Sequence, residues 1–195
     1  MTEQERKPPV KIRITKLQEA QLAEVAAIDA EVGEIYAEIG VGPELFTPRN
    51  DIDLGRMTRD HDILVAEGDD HVAGFLIWAD QAPGVAFINS LHVDPDHQRL
   101  GVGTRLLREL GERATAHGIG LCTVAIWEGA AWAMSFLAVR GFQPYEAGSQ
   151  MPSKLLAWLE ANEDSPHLGP RRQLWWAETD GLGTIPGLPR PDSVR

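Results

Sequence analysis

Apolar and polar residues alternate along Val10-Lys11-Ile12-Arg13-Ile14-Thr15-Lys16, the period of a half-buried strand. The period then changes. From Gln18 to about Ile39, Leu22, Val25, Ala26, Ile28, Ala30, Val32, Ile35 and Ile39 recur at helical spacing, and Gly33 is expected to split the run into two helices. Gly40-Val41-Gly42-Pro43 closes that region, and Phe46 to Arg59 reads as irregular with a short helix near Leu54. Two apolar runs, His61 to Glu67 and Val72 to Trp78, flank Gly68-Asp69-Asp70-His71, which has the residue types of a hairpin turn. After Ala82-Pro83-Gly84 comes a third strand, Val85 to Val93. Gly101 to His117 is amphipathic, with Leu106, Leu107, Leu110 and Ala114 on one stripe and Gly118 past its end. A strand from Leu121 to Trp127 and a helix from Ala130 to Arg140 stopped by Gly141 follow. The chain then reads as a strand from Phe142 to Ala147, a helix from Pro152 to Asn162 and a last strand from Arg171 to Thr179. The order predicts one mixed α/β domain over residues 10–180, between loose tails at 1–9 and 181–195.

Charge narrows the partners. The 195 residues carry 18 Lys and Arg against 29 Asp and Glu, a net −11. Such a chain lacks the basic footprint of a nucleic-acid binder or of a protein held on an anionic membrane, while a cationic substrate suits it. The single cysteine, Cys122, excludes an internal disulfide and a cysteine zinc cage, and its run Leu121-Cys122-Thr123-Val124 reads as core. No stretch approaches the ~20 apolar residues of a membrane span, and Met1 to Pro9 lacks a signal-peptide core, so a cytoplasmic location is expected. His92-x-Asp94-x-Asp96-His97 has metal-ligand residue types, but Asp94-Pro95 and Asp96 are turn residues, and no metal is expected.

The segment from Leu91 to Leu107 carries the most chemistry. A strand ends at Val93, Asp94-Pro95 turns the chain, and Gly101 and Gly103 open the amphipathic helix. Glycines there let a ligand approach backbone, and free N–H groups with the helix dipole favour an anion such as a pyrophosphate. A Walker loop needs a longer glycine spacing and a lysine, and a dinucleotide fingerprint needs a third glycine where Leu106 stands. Gln98-x-x-Gly101-x-Gly103 instead resembles motif A of the GNAT superfamily of acetyl-CoA-dependent N-acetyltransferases. The lead-in Leu91-His92-Val93-Asp94-Pro95 and the stretch Ala133 to Phe142, similar to the motif B helix running into Gly-Phe, extend the resemblance. The element order agrees with that family from Val10 to about Thr179.

The resemblance implies a mostly antiparallel twisted sheet with helices on both faces, its fourth and fifth strands splayed around the pantetheine arm of acetyl-CoA. Leu91, His92 and Val93 would line that arm, and Gln98, Arg99, Leu100, Gly101, Val102, Gly103 and Thr104 the pyrophosphate, with Arg99 and Arg105 adding charge. It implies direct transfer to an amine, the thioester carbonyl polarised by the N–H of His92 or Val93.

The family's motif B tyrosine is replaced by Leu137, its asparagine by Ala130, and the fourth strand has no glutamate near Phe87 or Asn89. Proton handling therefore falls to other residues. His92, Glu128, Glu34 and Glu38 are the candidate bases, and Tyr36 and Tyr145, the only tyrosines, the candidate acids. Trp127, Trp132 and Asn89 are placed at the acceptor cleft, where an aromatic wall suits an apolar or cationic amine. Of Trp175-Trp176, one ring is expected in the core, and the other at the acceptor pocket or a homodimer contact. The expected function is acetyl transfer to a small primary amine. The other readings are a catalytically weak acyl-CoA sensor or scaffold, and acetylation of peptides or proteins.

Overall fold

A computed structural model describes residues 11–68, 71–146, 152–162, 169 and 171–184. The first tail, the centre of the hairpin turn at 69–70, position 147 and the chain beyond 184 lie outside the described residues.

The strands are β1 (Arg13–Lys16), β2 (Asp62–Gly68), β3 (His71–Ala82), β4 (Val85–Val93), β5 (Leu121–Trp127), β6 (Gln143–Pro144) and β7 (Arg172–Glu178). They form one sheet in the order β1-β2-β3-β4-β5-β7-β6, antiparallel throughout except where β4 meets β5. The helices are α1 (Leu22–Glu38), α2 (Asp51–Met57), α3 (Val102–Ala116), α4 (Ala131–Ala138) and α5 (Ser153–Ala161).

Strand alternation sorts the side chains into two layers. Leu64, Ala66, Leu76, Trp78, Ala86 and Ile88 pack on the Leu106, Leu107 and Leu110 stripe of α3. Ile63, Val65, Phe75 and Ile77, one position out of phase, pack on Val25 and Ile28 of α1 and Leu54 of α2. Val85, Phe87, Leu174 and Trp176 form a third cluster with Leu155 and Trp158 of α5, where Phe87 and Trp158 stack at 5.8 Å.

Several expectations are corrected here. Helix α1 runs unbroken through Gly33, where a Cβ would stand 2.9 Å from Pro48 and 3.3 Å from Phe46. The glycine serves the close passage of the 46–48 segment, so it marks packing and not a helix end. The strand expected over 142–147 is only Gln143–Pro144. Neither Trp175 nor Trp176 is exposed: one lies in the α3-side core and the other beneath α5, each 8% accessible. The chain also stays packed past 180, since Leu182 is buried in the core against α3.

Candidate functional site

The site begins with one extra residue. In the β3–β4 pairing Trp78 faces Ile88 but Ile77 faces Ser90, which leaves Asn89 without an opposite number. This bulge bends β4 and reverses the parity of its side chains beyond it. Ala86 and Ile88 point into the α3 layer; past the bulge Leu91 and Val93 do so instead, and Ser90 and His92 turn toward α1. The parallel β4–β5 ladder ends at the Ile88–Val124 pair, although β4 continues to Val93 and β5 to Trp127. The two strands part there, and a cavity of about 680 Å³ opens between them.

One end of the cavity meets the start of α3. Gly101 caps that helix in the left-handed region (φ 80°) without a side-chain cap, and the first intrahelical bond is from the N–H of Arg105 to the Gly101 carbonyl, 3.1 Å. The earlier N–H groups are the unpaired donors of a helix start, and no acid lies in the first turn. A Cβ on Gly101 would meet nothing within 4 Å, so the space before these donors is open. Gly103 sits under Phe136 of α4, 2.9 Å from where a Cβ would be. Arg140 lies flat over Phe136, 3.6 Å from its centroid, and donates to Thr104 Oγ1 at 2.7 and 3.0 Å. Arg99, itself left-handed (φ 61°), lines the same end.

Toward the other end stand His92, Tyr36, Phe46, Asn89, Trp127, Trp132 and Arg172. His92 Nδ1 is 3.0 Å from Oδ1 of the fully buried Asp29. The carboxylate only accepts, so Nδ1 carries the proton and Nε2 is left as the basic nitrogen. Asp29 also accepts from Arg49: the backbone N–H at 2.7 Å, Nε at 3.0 Å and Nη2 at 2.6 Å. Arg49 goes on to Asn89 Oδ1 at 3.0 Å and Ser90 Oγ at 2.7 Å. Burial raises the Asp29 pKa, but bonds from His92 and Arg49 with the Arg49 charge outweigh it, and the carboxyl is held well below the usual carboxylate range. Burial lowers the His92 pKa against the opposing pull of Asp29, so the ring is neutral at neutral pH. Burial also raises the Tyr36 pKa, which keeps its phenol protonated. Tyr36 stacks on Trp132 at 6.4 Å and meets His92 edge-on at 6.1 Å.

Of the residues anticipated from sequence, Tyr36, Asn89, Leu91, His92, Val93, Gln98, Arg99, Gly101, Val102, Gly103, Thr104, Trp127 and Trp132 line this cavity. Others do not. Glu128 is exposed beyond β5, and Glu34 and Glu38 lie on the outer face of α1. Tyr145 packs beside the α5 cluster on the far face of β7. Leu100 points to solvent at 50% exposure, and Arg105 is turned away to the Ile12 carbonyl, 3.1 Å. No acidic side chain is among the described lining residues. Asp29, Arg49, Arg140 and Arg172 were not anticipated. Asp29 left one local signal, a carboxylate on the helical stripe Val25, Val32 and Tyr36.

Residues 30–142 match the model of the acetyltransferase (GNAT) family, and the chain belongs to that family. The fold agrees with solved structures at low identity. PaiA N-acetyltransferase from Thermoplasma acidophilum, in complex with coenzyme A, is 16% identical, with a TM-score of 0.66 over 86% of this chain and 99% of that one. The ribosomal-protein-S18-alanine N-acetyltransferase from Escherichia coli is 14% identical (TM-score 0.60; 92% of this chain, 100% of that one). N-acetylglutamate synthase from Neisseria gonorrhoeae, complexed with coenzyme A and N-acetyl-glutamate, is 18% identical (TM-score 0.61; 87% of this chain, 35% of that one). No curated protein matches the sequence. GNAT enzymes use acetyl-CoA as co-substrate, and the residues present fit it: an open gap between parted strands, an uncapped helix start and two arginines beside it. Among the described residues there is no cluster able to hold a metal and no helix long and apolar enough to cross a membrane.

Proposed function

We propose that the chain is an N-acetyltransferase that acetylates the primary amine of a small molecule. The observation that carries this reading is the Asp29–His92 pair, a neutral, oriented imidazole in the wall of a cavity whose other end is an anion cradle. When bound, acetyl-CoA supplies a thioester whose C–S bond breaks as the amide C–N bond forms, leaving CoA as the thiol.

The chain's own residues divide the remaining work. The N–H groups of Val102, Gly103 and Thr104, with Arg99 and Arg140, hold the pyrophosphate. The edge of β4 that faces β5 beyond Ile88, along Leu91 to Val93, would offer backbone groups to the pantetheine arm, with an N–H there polarising the carbonyl. Asp29 is a positioning residue: it fixes the Nδ1–H tautomer and leaves His92 Nε2 to take the proton from the incoming ammonium. Tyr36, protonated beside His92, is the donor for the departing thiolate. Tyr36, Phe46 and Trp132 wall the acceptor end with rings, which suits a small acceptor better than a protein chain.

The test is thiol release from acetyl-CoA across amino acids, polyamines, aminoglycosides and peptides, with the acetylated product identified by mass. An acetylated small amine supports the reading. Tight CoA binding without thiol release favours the sensor or scaffold, and turnover confined to peptides favours acetylation of protein substrates.

A further inference from the structure

The acceptor end of the cavity holds a cation that no described carboxylate neutralises. Arg172, at the start of β7, is only partly exposed, and its guanidinium lies 3.8 Å from the centroid of Trp127, the residue it pairs with across the strands. It has no carboxylate partner among the described residues. Of the other arginines near the cavity, Arg49 is engaged by Asp29, Arg140 by Thr104 and the Phe136 carbonyl, and Arg171 by the Ile39 and Gly40 carbonyls, while Arg99 stands at the helix-start end. Arg172 lies within electrostatic reach of Tyr36, whose ring meets that of His92, so it belongs with the proton-accepting end and not with the helix-start cradle.

A guanidinium withdrawn from water without a counter-ion is costly unless a ligand supplies one. It is also planar, stacked and donor-rich on its free edges, the geometry that recognises a carboxylate. A second ammonium on the acceptor would meet Arg172 with no described acid in the lining to offset the repulsion. We infer that the acceptor is an amino-carboxylate, an amino acid or close relative, whose amine faces His92 while its carboxylate pairs with Arg172. This rests on the acetyltransferase reading above and names its substrate class.

The experiment compares matched acceptors that differ only in the carboxylate: phenylalanine, its amide and phenethylamine, and leucine and 3-methylbutylamine, with spermidine as the cationic extreme. Each is assayed with wild type and with Arg172→Gln, and CoA affinity is measured beside it. Acids are expected to exceed their carboxylate-free partners in kcat/KM by about 10- to 100-fold, the worth of one charged hydrogen-bonded contact. R172Q is expected to erase most of that ratio through KM, with CoA affinity within about twofold of wild type. Arg172→Lys, which keeps the charge but not the fork, should restore part of it. Two results overturn the inference while leaving the acetyltransferase standing: equal or better use of the carboxylate-free amines, and a ratio unchanged in R172Q. No thiol release with any of these amines removes the acetyltransferase reading, and this inference with it.

Discussion

Asp29 is the point at which stability and chemistry meet, and Asp29→Ala separates the two. The carboxylate is fully buried and accepts three hydrogen bonds from Arg49, whose side chain is 16% exposed, and one from His92. Truncation leaves the Arg49 guanidinium largely out of water without its counter-ion, a loss of about 3–5 kcal/mol for a broken buried pair. At this chain length that is a fall in Tm of roughly 6–20 °C, at about 2–4 °C per kcal/mol. Urea unfolding followed by the fluorescence of the six tryptophans gives the same quantity at constant temperature. Removing the guanidinium as well, in Asp29→Ala/Arg49→Met, takes away the stranded charge, so the double variant should lose less than the sum of the singles by about 1–3 kcal/mol. The pH dependence has a definite sign. Both Asp29 and His92 have pKa values lowered in the folded state, so the unfolded chain binds more protons on acidification. Their contribution is complete above 6.5, and is lost as the pH falls first below the histidine value of 6.5 and then below the carboxylate value of 3.8. A loss under about 1 kcal/mol in Asp29→Ala, or strictly additive singles, would refute the claim that this pair anchors the site.

Other outcomes follow from the same geometry. Gly101→Ala places a Cβ in the open space before α3 and forces a left-handed alanine, so CoA affinity should fall about tenfold or more while Tm drops only a few degrees; calorimetric titration reads the first and a thermal melt the second. Arg140→Gln removes a charge over Phe136 and the brace on Thr104, and should weaken CoA by about tenfold with a smaller effect on the KM of the acceptor. Burial pushes the Cys122 thiol well above its ordinary value, so it should ignore a disulfide reagent in the native protein and react only after denaturation, when one thiol per chain is titrated.

What could be read from sequence was what is local. The glycines at 101 and 103, the turn at Asp94-Pro95 and the α3 stripe act within a few residues of themselves, and the fold places both glycines at the start of α3. The His92 pair was not legible because it depends on Asn89. Strict alternation from Val85 puts His92 on the α3 face with Ala86 and Ile88, and only the bulge turns it to α1. Asp29, Arg49 and His92 are also far apart in the chain, and no spacing rule joins them. Gly33 misled for a related reason: its neighbours in space, Phe46 and Pro48, decide its role, whereas its neighbours in sequence suggest a break. Tyr145 and Glu128 lie near the right motif but just past the ends of β6 and β5, where Tyr145 packs with the α5 cluster and Glu128 is exposed, so neither lines the cavity.

The proposed chemistry turns on His92, held by Asp29, removing the proton from the acceptor amine. Its most direct test is the pH–rate profile of thiol release for wild type and His92→Gln with one accepted amine. Wild type should show an acid limb below the ordinary histidine value of 6.5, and the variant should lose about 10²- to 10⁴-fold in kcat together with that limb. A variant that keeps wild-type kcat with the same profile would contradict the claim.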